Sequence, residues 1–160
     1  MGILTAEMQR FVRVQRLGYV ATVCPDGTPN LSPKGTTTVW DEDHLVFADI
    51  CSPGTIENLR HNPSVEINVV DPISRKGYRF KGTATVLSGG ERFDDLLAFY
   101  RRLGTSSPIR SVVLIGVERA QPVISPAYGP GVTEAAVRER WERYYHEAIG
   151  PDQPIVPGEG

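Results

Sequence analysis

Between residues 18 and 50 the chain alternates three short β-type runs with turns that are too short to hold a helix. The runs are GYVATVC, NLSPKGTTTVW and HLVFADI, and the segments PDGTP and DED separate them. Glycine, proline and aspartate are typical of tight turns, and parallel neighbours would need a crossover of about a dozen residues. These residues therefore predict a three-stranded antiparallel meander and exclude a regular parallel β/α sheet.

Three more runs of the same type follow, which brings the expected strand count to six. They are SVEINVV, YRFKGTATVLS and SVVLIGVERAQPVI. Helical spacing of apolar residues predicts helices over residues 5–15, 90–103 and 133–148, with a brief one between Ser52 and Asn62. We therefore expect a mainly β fold with peripheral α-helices, in which six antiparallel strands form a small barrel.

Length and composition narrow the class of protein. The 160 residues fit one domain, for which we take residues 1–150, with a flexible tail over residues 151–160. Acidic residues outnumber basic ones by 19 to 17, which argues against nucleic acid or an anionic membrane as a partner. The chain has no apolar stretch of about 20 residues and no uninterrupted apolar N-terminal core, so we expect a cytoplasmic protein.

Two neighbouring features of the meander favour an anion. In the second run, residues of equal parity share a strand face, which places Ser32, Lys34 and Thr36 in one row. The segment from Ser52 to Thr55 begins a helix, where Ser52 is a natural N-cap and the N–H groups of residues 54–56 stay available. A bound phosphate is one interpretation of this pair of features. A solvated strand face and an ordinary capped helix are the alternatives.

The remaining chemistry-bearing residues are dispersed. The segment SRKGYRFKG adds Arg75 and Lys76, which suit a cofactor or substrate phosphate. The cysteines and histidines have no metal-ligand spacing, so we expect no metal site. The sequence also has no nucleophile motif, so no catalytic residue can be named. Any reactive chemistry would then come from a cofactor.

The C-terminal helix carries an apolar and aromatic stripe. Its members are Val137, Trp141, Tyr144, Tyr145 and Ala148. Core packing, a dimer contact and a lid over a planar ligand all fit this pattern.

Taken in order, these segments resemble the pyridoxamine 5'-phosphate oxidase-like superfamily of FMN-binding split barrels. The resemblance covers roughly residues 18–87 and rests on GYVATVCPDGTPNLSPKG, HLVFADICSPGTIENLRHNPSVEINVV and GYRFKGTATV. It implies a six-stranded antiparallel split β-barrel of Greek-key type. It also implies a homodimer with FMN between the subunits, and an oxidoreductase that moves hydride or electrons between reduced flavin and a small substrate or oxygen.

The resemblance implies four groups of cofactor-binding residues. They are Ser32, Lys34 and Thr36 beside the phosphate or flavin, Ala48, Asp49 and Ile50 with backbone atoms along the ring edge, Ser52, Gly54 and Thr55 on the phosphate loop, and Arg75, Lys76 and Gly77 reaching from the neighbouring subunit. Many relatives have an Arg-Lys pair in the phosphate loop. Here Pro53, Gly54 and Thr55 stand in that loop, so the positive charge must come from Lys34, Arg75 and Lys76.

Several functions remain open at this point. The segment VRERWERYYHEAIG lacks the Arg-x-His substrate signature of true vitamin B6 oxidases, so we do not expect a pyridoxamine phosphate oxidase. A flavin-binding protein without turnover, used for storage or sensing, is one alternative. A deazaflavin-dependent reductase of the same fold is another, and some relatives bind haem.

Overall fold

The computed structural model describes residues 2–150, in which it places seven strands and four helices. The strands are β1 (Gly18–Val23), β2 (Pro29–Lys34), β3 (Thr38–Val39), β4 (His44–Asp49), β5 (Ser64–Asp71), β6 (Lys76–Leu87) and β7 (Ser111–Ile124). The helices are α1 (Ala6–Gln15), α2 (Pro53–His61), α3 (Glu91–Arg102) and α4 (Glu134–Ile149). The tail expected over residues 151–160 lies outside the described residues.

The expectation of six strands is wrong, because the second predicted strand is broken in two. Its first half, β2, pairs with β1, and its second half, β3, pairs with β4. The break lies at residues 35–37, where the N–H and the hydroxyl of Thr37 both donate to the carbonyl of Lys34, at 3.2 and 2.9 Å. Gly35 has no side chain to pack within a strand, which favours an interruption of the strand at this position.

This break forces the sheet to curl. The strand order is β2-β1-β5-β6-β7-β4-β3, and all neighbouring strands are antiparallel. The strands β2 and β3, which residues 35–37 join, therefore lie at opposite edges of the seven-stranded sheet. A flat sheet would separate those edges by roughly 29 Å. Three linking residues span at most about 14 Å. The two edges must therefore approach each other, which is the geometry of a split barrel.

Alternate residues of the curled sheet enter two separate hydrophobic clusters. In the β4–β7 pair, Phe47 and Val113 face the barrel interior, where Val12 of α1 and Ile56 and Leu59 of α2 also pack. Their neighbours Ala48 and Val112 lie on the outer side, where Leu96 and Tyr100 of α3 cover them. The period of two along each strand thus fixes which residues meet which helix.

The last helix is attached to the barrel mainly through its first two turns. Val137 is its only buried residue within the described part of the chain. The Arg138 guanidinium donates to Asp71 at 2.7 Å, and the Lys76 ammonium donates to Glu134 at 2.9 Å. Of the predicted aromatic stripe, Tyr144 is 54% exposed, so core packing explains the beginning of the stripe but not its end.

No helix within residues 2–150 combines the length and the apolar character that crossing a bilayer requires.

The turn at residues 35–37 can be tested through Gly18, which pairs with Lys34 across β1 and β2. A Cβ on Gly18 would lie 2.6 Å from the hydroxyl of Thr37 and 3.0 Å from Ile67. We expect Gly18→Ala to lower the free energy of unfolding by about 1–3 kcal/mol through overpacking. Gly89→Ala, whose Cβ meets nothing within 4 Å, is the matched control and should change stability by less than about 0.5 kcal/mol. Equal denaturation midpoints for the two variants would contradict this account of the corner.

A second prediction concerns the docking of α4. Arg138→Ala removes the ion-pair partner of the Asp71 side chain, which is only 8% exposed. We expect the docking of α4 to weaken by about 1–2 kcal/mol, seen as faster amide hydrogen exchange in α4. The control is Arg143→Ala, because its pair with Glu139 is exposed at 64% and 73% and should contribute little. Identical exchange in both variants would mean that the ion pair to Asp71 does not hold the helix.

Candidate functional site

Three of the predicted site residues meet at the corner where β2 ends and α2 begins. Lys34 is 6% exposed, and its ammonium donates to the hydroxyls of Ser32 at 2.5 Å and Ser52 at 2.9 Å. An ammonium has three N–H donors, so one donor is left for another acceptor. Burial lowers the pKa of Lys34, and the nearby Asp49 carboxylate partly opposes this shift. The corner thus holds a lysine with spare donor capacity.

Asp49 contributes its side chain to this corner, a role that the sequence did not indicate. One carboxylate oxygen accepts the Ser52 N–H at 2.8 Å, and the other accepts the Ser111 hydroxyl at 3.1 Å. Asp49 and Ser111 are direct partners in the β4–β7 ladder and both are buried. The carboxylate therefore fixes the loop before α2 and leaves the charge of Lys34 only partly balanced.

The start of α2 is not capped as predicted. Ser52 occupies the N-cap position, but its side chain makes no capping hydrogen bond and its hydroxyl accepts from Lys34 instead. The Ile56 N–H donates to the Ser52 carbonyl at 3.2 Å, so it is not available, contrary to expectation. Within residues 2–150 the N–H groups of Gly54 and Thr55 have no hydrogen-bond acceptor. These two donors lie one and two residues beyond Pro53, at the positive end of the helix.

The Thr36 hydroxyl is hydrogen-bonded to the backbone of β4 and does not lie free beside Lys34. Its hydroxyl accepts the Ala48 N–H at 3.0 Å and donates to the Ala48 carbonyl at 3.1 Å. The Tyr100 hydroxyl donates to the Thr36 carbonyl at 2.9 Å, and burial raises the pKa of Tyr100 above its ordinary value. The Asp49 carbonyl accepts the Arg110 N–H at 3.0 Å. Of the backbone expected along a ring edge, Ala48 and Asp49 are thus already hydrogen-bonded, whereas the half-buried Ile50 follows the end of the strand.

The third predicted group lies elsewhere in the protomer. Arg75 has a positive φ of 57° in the β5–β6 turn, and its guanidinium carbon lies 3.4 Å from the Trp141 ring centroid. Lys76 pairs with Glu134 and lies 4.6 Å from the Tyr128 ring centroid. Gly77 leaves no space for a side chain, since a Cβ would lie 2.2 Å from the Val69 carbonyl oxygen.

None of these three residues shares a hydrogen bond or an ion pair with the corner among the described residues. Lys76 and Gly77 begin β6 and Arg75 directly precedes it, and this strand is separated from β2 by β1 and β5 in the sheet order. Within one subunit the expected cations therefore form two groups: Lys34 at the corner, and Arg75 with Lys76 beside α4.

Asp49 also lines an open cleft of about 500 Å³. Its lining includes Arg60 and Glu57 of α2, Ser88 at the end of β6, and Arg110 with Ser111 at the start of β7. Sequence reasoning missed this cleft, because three elements far apart in the chain supply its walls and no local pattern joins them. No group of three or more metal-ligand side chains occurs within residues 2–150.

Comparison with known proteins places the chain in a family. The family model described as pyridoxamine 5'-phosphate oxidase matches residues 4–123. The crystal structure of HupZ from Group A Streptococcus is 31% identical with a TM-score of 0.69, and the alignment covers 76% of this chain and 94% of that one. No curated protein matches the sequence.

Two more distant structures share the fold. An FMN-binding protein from Syntrophomonas wolfei is 17% identical with a TM-score of 0.64, over 76% of this chain and 87% of that one. An F420 reductase is 24% identical with a TM-score of 0.53, over 66% of this chain and 88% of that one. The family match spans β1 to β6 and nearly all of β7, and therefore includes the Lys34 corner, the start of α2 and Asp49. On this evidence the chain belongs to the pyridoxamine 5'-phosphate oxidase family of split-barrel proteins.

Proposed function

We propose that this protein is an FMN-binding homodimer and an oxidoreductase, in which electrons or hydride pass between reduced flavin and a small substrate or oxygen. The observation that carries the proposal is the Lys34 corner. A buried ammonium with a free donor and the two unbonded N–H groups of α2 lie next to each other there. A phosphate dianion needs several donors and a cation in one place, and this corner supplies both.

Side-chain and backbone donors of the corner would each contact the cofactor phosphate. Lys34 would donate its third N–H to a phosphate oxygen, while Ser32 and Ser52 keep the ammonium in position. Gly54 and Thr55 would donate backbone N–H groups, and the absence of a side chain at Gly54 lets the phosphate approach the helix end closely. The bound flavin would supply the redox chemistry, while Lys34 and the hydrogen-bonded Asp49 hold the corner in place.

The second subunit is supported by an apolar surface on the first. Tyr19 is 41% exposed and Leu31 is 65% exposed, and both belong to the β1–β2 pair. They alternate with residues that face inward, such as Val20 and Thr22, so they lie on the outer side of the sheet. Covering this side with a second copy would bury them. The resemblance to FMN-binding split barrels implies that in such a dimer Arg75 and Lys76 of one subunit reach toward the cofactor of the other.

The cofactor proposal is tested with the purified chain and added FMN. We expect flavin absorbance to be retained after free FMN is removed, at one FMN per subunit in a dimeric species measured by light scattering. Bound flavin should then be reduced by NADH or NADPH and reoxidised by an added acceptor. Retention without any turnover would favour a storage or sensing protein. Displacement of FMN by F420 would favour a deazaflavin reductase, the activity of one structural relative. No retention of either cofactor would refute the proposal.

Lys34→Met is the sharpest variant for the corner, because it keeps most of the buried stem and removes the charge. We expect FMN binding to weaken by about 1–3 kcal/mol, roughly 5- to 150-fold in Kd, through loss of one charge-assisted contact. Arg92→Gln is the control, since this exposed α3 residue makes no ion pair or side-chain hydrogen bond within residues 2–150. Unchanged FMN affinity in a folded Lys34→Met protein would place Lys34 outside the cofactor site.

A further inference from the structure

Two arginines beside the proposed cofactor site have no acidic partner. Arg60 and Arg110 are both exposed, and within residues 2–150 neither forms an ion pair. Arg60 makes one side-chain hydrogen bond, from Nη2 to the Ser88 hydroxyl at 3.3 Å, and Arg110 makes none. Other cations of the chain, such as Lys76, Arg79 and Arg138, are paired with carboxylates. Both unpaired arginines line the same 500 Å³ cleft.

The cleft has the composition of a site for a small anionic molecule. Its donors are the two guanidinium groups and the hydroxyl of Ser88, and Pro53 and Ile56 add an apolar wall. Two carboxylates also line it. Both carry a negative charge that opposes an anion: the charge of Asp49 is offset in part by hydrogen bonds from the Ser52 N–H and the Ser111 hydroxyl, whereas the exposed Glu57 accepts no side-chain hydrogen bond within residues 2–150.

We propose that the Arg60–Arg110 cleft binds the carboxylate or phosphate group of a small organic acid. A guanidinium group presents a planar set of donors that matches such groups in a bidentate manner. The cleft shares Asp49 and α2 with the Lys34 corner. A molecule whose anionic group lies in the cleft would therefore have its body beside the cofactor site. If the bound molecule is the substrate of the flavin, its position beside the cofactor places it for reaction. That role as a substrate rests on the proposed function, whereas anion binding itself does not.

The test uses phenyl phosphate as the probe and benzyl alcohol as its uncharged counterpart, titrated into the full-length, FMN-free protein by calorimetry. We expect phenyl phosphate to bind, benzyl alcohol not to bind, and the phenyl phosphate affinity to fall as salt is raised. Arg110→Gln and Arg60→Gln should each weaken binding by roughly fivefold or more. Glu57→Gln should strengthen binding by about twofold, because it removes one of the two opposing charges. Arg92→Gln is the charge-matched control and should leave the affinity unchanged.

The opposite signs for the arginine and glutamate variants keep the inference testable even if one variant fails to fold. Equal affinities in Arg110→Gln, Glu57→Gln and Arg92→Gln would overturn it, and so would binding of benzyl alcohol as tight as that of phenyl phosphate.

Repeating the titration with FMN-loaded protein separates the two proposals. If FMN is not retained but phenyl phosphate still depends on Arg110, the cleft stands and the proposed function fails. If phenyl phosphate displaces FMN from the unaltered protein but not from Arg110→Gln, the cleft belongs to the cofactor site and the inference of a second site is overturned.

Discussion

The turn at residues 35–37 is the constraint on which the rest of this structure depends. It sends two segments that are adjacent in sequence to opposite edges of one sheet, and the short link then draws those edges together. The same turn ends β2 at Lys34, so the lysine side chain enters the corner between β2 and the start of α2. Thr37 packs against Gly18 in the neighbouring strand, which locks the turn into the sheet. Barrel closure and the candidate anion site thus have one local cause.

Much of the fold could be predicted from the sequence, because most strands are bounded by turn residues that act locally. The helix bounds agree within a residue or two, and Thr5 and Thr133 cap α1 and α4 with their hydroxyls. The break inside the second run could not be predicted, because lysine, glycine and three threonines in a row give no turn signal as strong as Asp-Gly. Whether a glycine in a strand is a turn or a bulge depends on the pairing of distant strands.

The candidate site was predictable only where its residues are close in sequence. The start of α2 followed from Ser52, Pro53 and Gly54, but its hydrogen bonds did not, because Lys34 lies 18 positions earlier and takes the Ser52 hydroxyl. Parity also failed beyond Gly35: Thr36 turns toward the Ala48 backbone instead of extending the row of Lys34. The Asp49 carboxylate, Arg110 and Ser111 come together through the β4–β7 ladder, a pairing over about 60 residues that no local pattern encodes.

Two features of the corner are unfavourable on their own and would be relieved by the same ligand. The start of α2 lacks a side-chain cap, which typically costs about 1 kcal/mol of stability. The Lys34 ammonium is buried with two hydroxyls, and burial lowers its pKa, so its charged form is less stable there than in water.

A bound anion would accept hydrogen bonds from the uncapped N–H groups and would also balance the charge of the ammonium, which would raise the pKa of Lys34 again. Because the anion would bind the folded state and not the unfolded chain, its binding would also stabilise the fold. A corner that is under-satisfied in the free protein is therefore consistent with a site selected for ligand binding rather than for stability alone.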